Sequence, residues 1–579
     1  FRAVATDMVS GEMVVLDSGD LSVAMRASMA IPGAFSPVVI GEQVLSDGGM
    51  VRNLPVDIAR ELCADVVIAV WMTTPPPTAE DLDSALALVS RSMDVMIGAN
   101  QNEQIESLGP DDIGIEVPMG DIGTGDFQRI AEAVALGRAA AEAIAADLRR
   151  FSIPEHEYLA WRGSVTSGEA KPIHLAEVRI QGLQQVSPEY VESHLQNLQP
   201  GADVDSQQIK EDTDRLYALG DFARIEHQLK GPADARVLEI TPVEKSWGPD
   251  FLRFDLGLSA EGSGELLAIL RGEHTRAWIG DLDARWNNAV QIGQQSLLAT
   301  DYYQPLDAGQ NWFVQPAVSY ENSLQSVYID GERVARYYVK DFRGELAVGA
   351  NLGTRAQLTG GLRSGWFSTE RDTGSLVLPE TTRANDAGVF LRLGYDTRDA
   401  VGLPTRGTMM ALSYVHSGSF LGGEQDYDVA EGVLTRAFPW RGDSLSLILG
   451  GGMELAGDLP VARDFRLGGI RSFPGLRIDE LRGTSYWFAG TTYLWKLADI
   501  QPLMGQALYA GLRLQAGRMG GSRDPLNYGT LYGIAGSLNG RTPLGPFILS
   551  LGYVDNDSWE LQFTLGRPLP EGSALDEIY

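Results

Sequence analysis

Cysteine and basic residues are scarce in this 579-residue chain. Its one cysteine, Cys63, excludes an internal disulfide and any cysteine-cluster metal site. Lys and Arg number 46 against 77 Asp and Glu, and the net charge of −31 disfavours a nucleic-acid partner, whose phosphates would be repelled. No run of 18 apolar residues is present, so no helix is expected to cross a bilayer.

Residues 1–155 have the composition of an α/β fold. They are rich in Ala, Val, Ile and Leu, and short apolar runs alternate with segments of helical periodicity. The predicted elements are a buried parallel strand, Val66–Val70, and two helices, Leu82–Ile97 and Phe127–Leu148. Cys63 falls in an apolar-periodic stretch, so we expect a small, buried packing residue. Because Phe1–Ala5 already alternates as a strand, we expect further sequence before it, and the lack of a targeting signal is uninformative.

Residues 156–172 are polar and irregular, and are predicted to be a linker. Residues 173–245 follow with a β-α-α-β-β pattern. The predicted elements are His174–Ile180, Pro188–Gln196, Ser206–Leu219, Phe222–Leu229 and Arg236–Val243. We expect Ser206 to cap the second helix and Gly220 to end it. This segment is therefore predicted to be a small α+β domain.

Residues 250–567 alternate apolar side chains with polar ones or glycine, in segments divided by Gly, Asp, Asn and Pro. In residues 547–553, for example, every second side chain is Phe, Leu or Tyr. A soluble antiparallel sandwich also alternates in this way. The length of the run, with sixteen to eighteen segments and aromatic residues at several segment ends, favours a closed antiparallel transmembrane β-barrel. A short tail, residues 568–579, follows it.

Asp47, Gly48 and Gly49 follow a short predicted strand, Gln43–Leu45. Glycines after an acid permit a tight turn that leaves the carboxylate exposed at a strand end, where open α/β sheets place their sites. An aspartate that only caps the turn is the alternative. None of the six histidines lies in residues 1–155, so a Ser-His-Asp triad cannot be assembled there. If this segment hydrolyses a substrate, a carboxylate must act as the base, directly on a serine or through water.

Three stretches of this segment resemble the bacterial patatin-like phospholipases. They are RASMAIPGAF at 26–35, SDGGMVRNLPV at 46–56 and ELCADVVIAV at 61–70. The resemblance implies a lipid acyl hydrolase with a Ser/Asp dyad and with neither a metal nor an organic cofactor. Asp47 would be the general base, within a D-G-G motif completed by Gly48 and Gly49.

The nucleophile of that family lies in a G-x-S-x-G turn, and residues 1–155 contain no such pattern. We therefore expect the serine to lie upstream of Phe1, and we expect the chain as it stands to be inactive, because loss of a nucleophile costs orders of magnitude in rate. Ser28 and Ser46 lie inside other motifs and are expected to be packing or turn residues.

The stretch Asp214–Phe222, with the sequence DRLYALGDF, resembles the LY-x-x-G-x-F signature of polypeptide-transport-associated (POTRA) domains. The resemblance covers residues 173–245. It implies a domain without a catalytic role, whose strand edges can pair with extended segments. A β-rich spacer is the alternative.

Two stretches of the third segment, YDTRD at 395–399 and LPTRG at 403–407, resemble the barrels of outer-membrane assembly and two-partner secretion proteins, also called the bacterial surface antigen family. That superfamily has G-G-x-x-S-V-R-G-Y in a loop inside the lumen, and its arginine fastens the loop to the wall. Residues 467–476 here are LGGIRSFPGL, which puts Pro474 at the arginine position. Whether Arg471 substitutes for that arginine stays open.

Together, the three segments resemble the fused autotransporter-like lipases of Gram-negative bacteria, termed type Vd. This implies a sixteen-stranded outer-membrane barrel, a periplasmic POTRA domain and an extracellular or released patatin domain that cleaves phospholipid acyl esters. Expected partners are the lipid substrate, the lipid around the barrel, periplasmic chaperones and the barrel assembly machinery. Two alternatives remain: a transporter or assembly barrel with a vestigial patatin domain, and a passive surface antigen or adhesin.

Overall fold

The computed structural model describes most of the chain as two compact units. The described residues are 1–32, 35–79, 82, 85–123, 126, 129–165, 172–232, 235–262, 264, 266–375, 381–501, 506–522, 529–542 and 544–569. Those up to Val165 belong to the first unit, and those from Pro172 onward belong to the second. Among the described residues, no helix is both long enough and apolar enough to cross a bilayer.

The described part of the first unit is α/β, as predicted. Its strands are β1 (Ala3–Asp7), β2 (Met13–Leu16), β3 (Val38–Ile40), β4 (Gln43–Asp47), β5 (Ile68–Thr73) and β6 (Ile113–Pro118). Its helices are α1 (Leu21–Ser28), α2 (Gly49–Arg52), α3 (Val56–Glu61), α4 (Ala85–Glu106), α5 (Ile130–Ala143), α6 (Ala145–Leu148) and α7 (Glu155–Val165). One antiparallel sheet has the order β2-β1-β4-β3, and a parallel pair is formed by β5 and β6.

Burial in this unit follows the alternation of strand side chains. Ile113, Ile115 and Val117 of β6 lie on one face and pack against α5. The predicted strand at Val66–Val70 is present as β5, two residues later than expected. Only one face of β5 is buried: Ala69 lies on the buried face, whereas Ile68 and Val70 are exposed on the opposite face.

Two expectations for this unit were wrong. Cys63 is exposed, because α3 ends at Glu61 and Cys63 takes a left-handed backbone conformation, φ 66°, just beyond it. The stretch predicted to be an irregular linker begins with a helix, α7, which is supported by Glu155 and Glu157 in its first turn. Residues 166–171 lie outside the described part.

The second unit opens with the predicted β-α-α-β-β segment. Its elements are β7 (Ile173–Ile180), α8 (Pro188–His194), β8 (Asp203–Val204), α9 (Ser206–Ala218), β9 (Phe222–Lys230) and β10 (Arg236–Glu244). The sheet order is β8-β7-β10-β9, with β10 parallel to β7 and antiparallel to β9. The N-cap of α9 is Asp205 and not Ser206, because Asp205 and Gln208 form a reciprocal capping box.

Sixteen strands then close into one antiparallel barrel, within the predicted range. They are β11 (Asp250–Glu261), β12 (Leu266–Ile279), β13 (Ala284–Gly293), β14 (Gln295–Pro305), β15 (Trp312–Ile329), β16 (Glu332–Leu352), β17 (Ala356–Gly374), β18 (Thr381–Asp396), β19 (Gly407–Ser417), β20 (Tyr427–Trp440), β21 (Asp443–Gly457), β24 (Ser485–Gln501), β25 (Gln506–Gly520), β26 (Leu531–Thr542), β27 (Gly545–Val554) and β28 (Ser558–Gly566). Between β21 and β24, β22 (Phe465–Leu467) and β23 (Leu481–Gly483) pair with each other.

The alternating side chains of the barrel face in opposite directions. Leu551 and Leu561 are 54% and 44% exposed, whereas Glu560 and Gln562 are 4% and 3% exposed. An apolar exterior around a polar interior is the pattern of a membrane barrel and the reverse of a soluble sandwich. The sandwich alternative is therefore excluded for this part of the chain.

Candidate functional site

Asp47 is the last residue of β4, at the end of a central strand of the first sheet. Its backbone N–H donates to the Ala30 carbonyl at 3.0 Å, and its own carbonyl accepts from the Thr6 hydroxyl at 2.7 Å. β4 also pairs with β1, where Asp47 lies opposite Ala5. The backbone of the predicted base is therefore fixed from several directions.

The Asp47 carboxylate is half-buried, and only one of its oxygens accepts a hydrogen bond from a described residue. Oδ1 accepts from the Gly49 backbone N–H at 2.7 Å, while Oδ2 has no partner among the described residues. Burial raises the pKa of this carboxyl, and the Gly49 hydrogen bond opposes that rise. A carboxylate of raised pKa with a free oxygen is a better proton acceptor than an ordinary exposed aspartate.

The two glycines of the motif are required by close packing. Gly48 has ordinary helical angles, φ −68° and ψ −22°, so it does not need left-handed freedom. A Cβ added there would overlap the Val4 carbonyl oxygen of β1. At Gly49 a Cβ would lie 2.9 Å from the Asp47 Oδ1 that its N–H contacts. Larger residues would push the turn away from β1 or crowd the carboxylate.

Of the two serines in the patatin-like motifs, Ser46 has the structural role that was expected, while the contact at Ser28 is made by its backbone. The Ser46 hydroxyl is buried and donates to the Ala30 carbonyl at 2.7 Å. The Ser28 carbonyl accepts from the Gly48 N–H at 3.2 Å. Residues 33 and 34 of the preceding motif lie outside the described part. Among the residues that are described, no group of three His, Cys, Asp or Glu is arranged to hold a metal.

A hairpin built on β22 and β23 lies inside the barrel and contacts its inward-facing side chains. The Pro474 carbonyl accepts from Gln515 Nε2 at 2.6 Å, and the Leu476 carbonyl accepts from Gln562 Nε2 at 3.0 Å. Arg471, the candidate substitute for the missing arginine, donates to the Leu569 carbonyl beyond the last strand at 3.0 Å. The lumen hairpin predicted from the glycine motif is therefore present, with proline in place of its arginine.

Several arginines fasten this lumen hairpin to the wall, and two of them, Arg463 and Arg477, do so through ion pairs. Arg463, just before β22, forms ion pairs with Asp341 of β16 and Asp386 of β18; its distance to Asp386 is 2.8 Å. Arg477, near the tip, pairs with Glu560 of β28 at 3.2 Å. Neither position could be identified from the sequence motif, because the acidic partners lie at least 77 residues away in the chain.

A buried carboxylate, Asp221, contacts both the α+β segment around the β7–β10 sheet and the barrel. Asp221 accepts from the Tyr190 hydroxyl at 3.1 Å and from Trp278 Nε1 of β12 at 3.0 Å. Asp283, in the turn after β12, accepts from the Ser187 hydroxyl at 3.4 Å. Burial and the nearby Asp221 raise the pKa of Asp283 to about 6, against the opposing hydrogen bonds from Ser187. No motif in the sequence marks this junction.

Two family models match separate parts of the chain. Residues 282–567 match the Omp85 superfamily domain, so this part of the chain has an Omp85-like barrel fold, which indicates the outer membrane. Residues 6–60, which include Asp47, match patatin-like phospholipase. The chain therefore combines patatin-like phospholipase sequence with an Omp85-type barrel.

The individual relatives cover only parts of the chain. An uncharacterized NTE family protein of Mycobacterium bovis is 45% identical over 65 residues, which are 11% of this chain and 11% of that protein. A mouse patatin-like phospholipase domain-containing protein is 40% identical over 72 residues, 12% of this chain and 5% of its own length. The chain thus spans about a tenth or less of these curated relatives.

Among solved structures, BamA from Haemophilus ducreyi lacking POTRA domains 1–3 has a similar fold. The TM-score is 0.51 at 12% identity, and the similarity covers 68% of this chain and 84% of that one. At this identity the similarity concerns the fold alone.

Proposed function

We propose that the protein is an outer-membrane-anchored lipid acyl hydrolase of the phospholipase A type, in which Asp47 is the general base. The observation that carries the proposal is the Asp47 carboxylate, which lies at a strand end inside the patatin-like match, with its pKa raised and with one oxygen that no described residue contacts. The nucleophile is a serine that residues 1–155 do not supply in a G-x-S-x-G pattern.

In this reaction the free Asp47 oxygen takes the serine proton as the serine oxygen attacks the ester carbonyl. The tetrahedral intermediate collapses to an acyl-serine, and the leaving alcohol takes the proton from Asp47. Water then attacks the acyl-serine and passes a proton to Asp47, and that proton returns to the serine as the fatty acid leaves. These steps need neither a metal nor an organic cofactor.

The proposed division is residues 1–155 for the hydrolase part, 156–172 for the connection, 173–245 for a POTRA domain, 250–567 for the barrel and 568–579 for a tail. The β7–β10 topology and the LY-x-x-G-x-F signature support the POTRA assignment. We place that domain in the periplasm, where chaperones and the barrel assembly machinery are its expected partners. The hydrolase part would be extracellular or released, as in type V secretion.

The test is hydrolysis of a fluorogenic fatty-acyl ester by the whole protein as its organism produces it. Asp47→Asn keeps the shape of the side chain but removes the base, and it should lower turnover by about 10²- to 10⁴-fold. Asp20→Asn is the matched control, because Asp20 caps α1 and asparagine caps equally well. Equal turnover of the Asp47 variant and the wild type would refute the proposal.

The second candidate is a transporter or assembly barrel with a vestigial hydrolase part. The lumen hairpin and the Omp85 match over residues 282–567 favour it. A serine-reactive fluorophosphonate probe separates the two functions. Labelling of the whole protein on intact cells supports the hydrolase, whereas secretion defects in a deletion strain without labelling support the transporter. A passive surface antigen would show neither.

A further inference from the structure

The short helix that follows Asp47 depends on side chains from another helix. α2 has only four residues, and its N-cap Gly48 offers no side-chain hydrogen bond. One helical turn is not stable alone in water, and its terminal N–H and C=O groups need partners. Since the Gly49 N–H of this helix contacts the Asp47 carboxylate, whatever fixes α2 also fixes the immediate surroundings of the proposed base.

Asn100 of α4 supplies those partners. Its Nδ2 donates to the Gly49 carbonyl at 3.1 Å, and its Oδ1 accepts from the Asn53 backbone N–H at 3.0 Å. A single amide side chain thus contacts both the first residue of α2 and the residue that ends it. An amide suits this place because it carries a donor and an acceptor together.

Two neighbours on α4 extend the same arrangement. Gln101 Oε1 accepts from Asn53 Nδ2 at 2.6 Å. Gln104, which is 5% exposed, accepts from the Asp57 backbone N–H near the start of α3 at 3.0 Å. Buried amides are costly unless they are hydrogen-bonded, so these contacts fix the segment from Gly49 to Asp57 against α4.

We propose that Asn100 is a positioning residue for Asp47: through the Gly49 carbonyl and the Asn53 N–H it holds α2 where the Gly49 N–H meets the carboxylate. The inference rests on the proposed hydrolase function, and it assigns Asn100 no contact with substrate. Without Asn100, α2 shifts or frays and the carboxylate loses the hydrogen bond from the Gly49 N–H. The acidic limb of the pH–rate profile then moves to higher pH, because that bond favours the ionised form.

The test compares Asn100→Leu, which has a similar size and no hydrogen bonds, with Asn100→Asp, which keeps the acceptor and loses the donor. Ser92→Ala on the same helix is the control, because the Ser92 hydroxyl bonds within α4 to the Leu88 carbonyl. The first measurement is hydrogen–deuterium exchange of peptides covering residues 47–53 in the whole protein. Both Asn100 variants should lose protection there, and the control should not.

The second measurement is steady-state hydrolysis of the fluorogenic ester as a function of pH. Asn100→Leu should lower kcat by about 10- to 100-fold with little change in KM, because a misplaced group costs rate more than binding. The acidic limb of its pH–rate profile should move to higher pH. Asn100→Asp should show a smaller decrease in kcat.

The two measurements separate the two proposals. If the wild type shows no turnover, the hydrolase proposal fails, while exchange at residues 47–53 still tests the contact. Unchanged exchange and unchanged kcat in the Asn100 variants would overturn the positioning role. If Asn100→Leu fails to fold, Asn100→Asp is the variant that tests the positioning role. Hydrogen exchange and kinetics equal to those of the wild type in Asn100→Asp would then overturn that role.

Discussion

At the residue scale, the position of Asp47 at a strand end was predictable, but the reason why glycine must follow it was not. The sequence indicated a glycine-flanked acid at a strand end, and the structure places it there. Conformational freedom was the expected reason for Gly48, yet its backbone angles suit any residue. The actual requirement is the close approach of the Val4 carbonyl, which comes from the pairing of β1 with β4 and cannot be deduced from the motif itself.

Gly48→Ala should therefore destabilise the first unit. The added Cβ must displace β1 or α2, and overpacking of this kind costs about 1–3 kcal/mol. Chemical denaturation followed by limited proteolysis of the first unit measures the change. Gly137→Ala in α5 is the control, because open space surrounds that position and alanine favours a helix. An equal decrease in the free energy of unfolding in both variants would contradict the proposed clash with the Val4 carbonyl.

The raised pKa of Asp47 predicts a pH-dependent stability. The folded state holds this proton more tightly than the unfolded chain, so the free energy of unfolding falls as pH rises from the ordinary carboxyl pKa through the raised one. Asp47→Asn should thus raise the unfolding temperature of the first unit at pH 7 and leave it nearly unchanged at pH 3. A destabilised variant at pH 7 would show that the ionised carboxylate is instead favoured by its surroundings.

At the element scale, regular elements were predictable and the contacts between them were not. The helices and strands of residues 173–245 lie close to their predicted places, since each has a clear period and end signals. The lumen hairpin was expected from its glycine motif, but Arg471 was only a candidate for its anchor. Arg463 and Arg477 form ion pairs with the wall, because barrel closure brings their distant acidic partners within reach.

Arg463→Gln should loosen the lumen hairpin. Removing this cation leaves Asp341 paired with Arg343 and Asp386 paired with Arg363, so the cost is at most that of breaking a buried pair outright, about 3–5 kcal/mol. In planar lipid bilayers the variant should show larger and noisier single-channel conductance than the wild type. Arg392→Gln is the control, because Arg392 pairs with Glu345 between two wall strands. Wild-type conductance in the Arg463 variant would show that the hairpin is held by other contacts.

At the scale of the whole molecule, alternation over three hundred residues was the strongest signal. Two-residue alternation can be recognised even when the ends of individual segments are misplaced. It therefore predicted both the barrel and the range of its strand number. The junction at Asp221 and the separation into two units depend on long-range packing and left no comparable pattern. Residues beyond Leu569, including the end of the predicted tail, lie outside the described part.

The apolar exterior predicts where a charge is tolerated. Leu551→Arg places a cation on the outer face of β27, at a cost of up to about 2–4 kcal/mol near the bilayer midplane. Leu544→Arg, in the turn between β26 and β27, should be nearly neutral because it avoids the hydrocarbon region. Heat-modifiable electrophoretic mobility of the membrane-inserted protein measures the folded fraction. Equal folded fractions would argue against lipid around this face.

The most direct test of the account is release of free fatty acid from phospholipid by outer membranes that contain the whole protein. Membranes with Asp47 should release fatty acid, while membranes with equal amounts of the folded Asp47→Asn protein should release at least about 100-fold less. Equal release from both membranes, or none from the wild type, would contradict a barrel-anchored hydrolase that uses this carboxylate as its base.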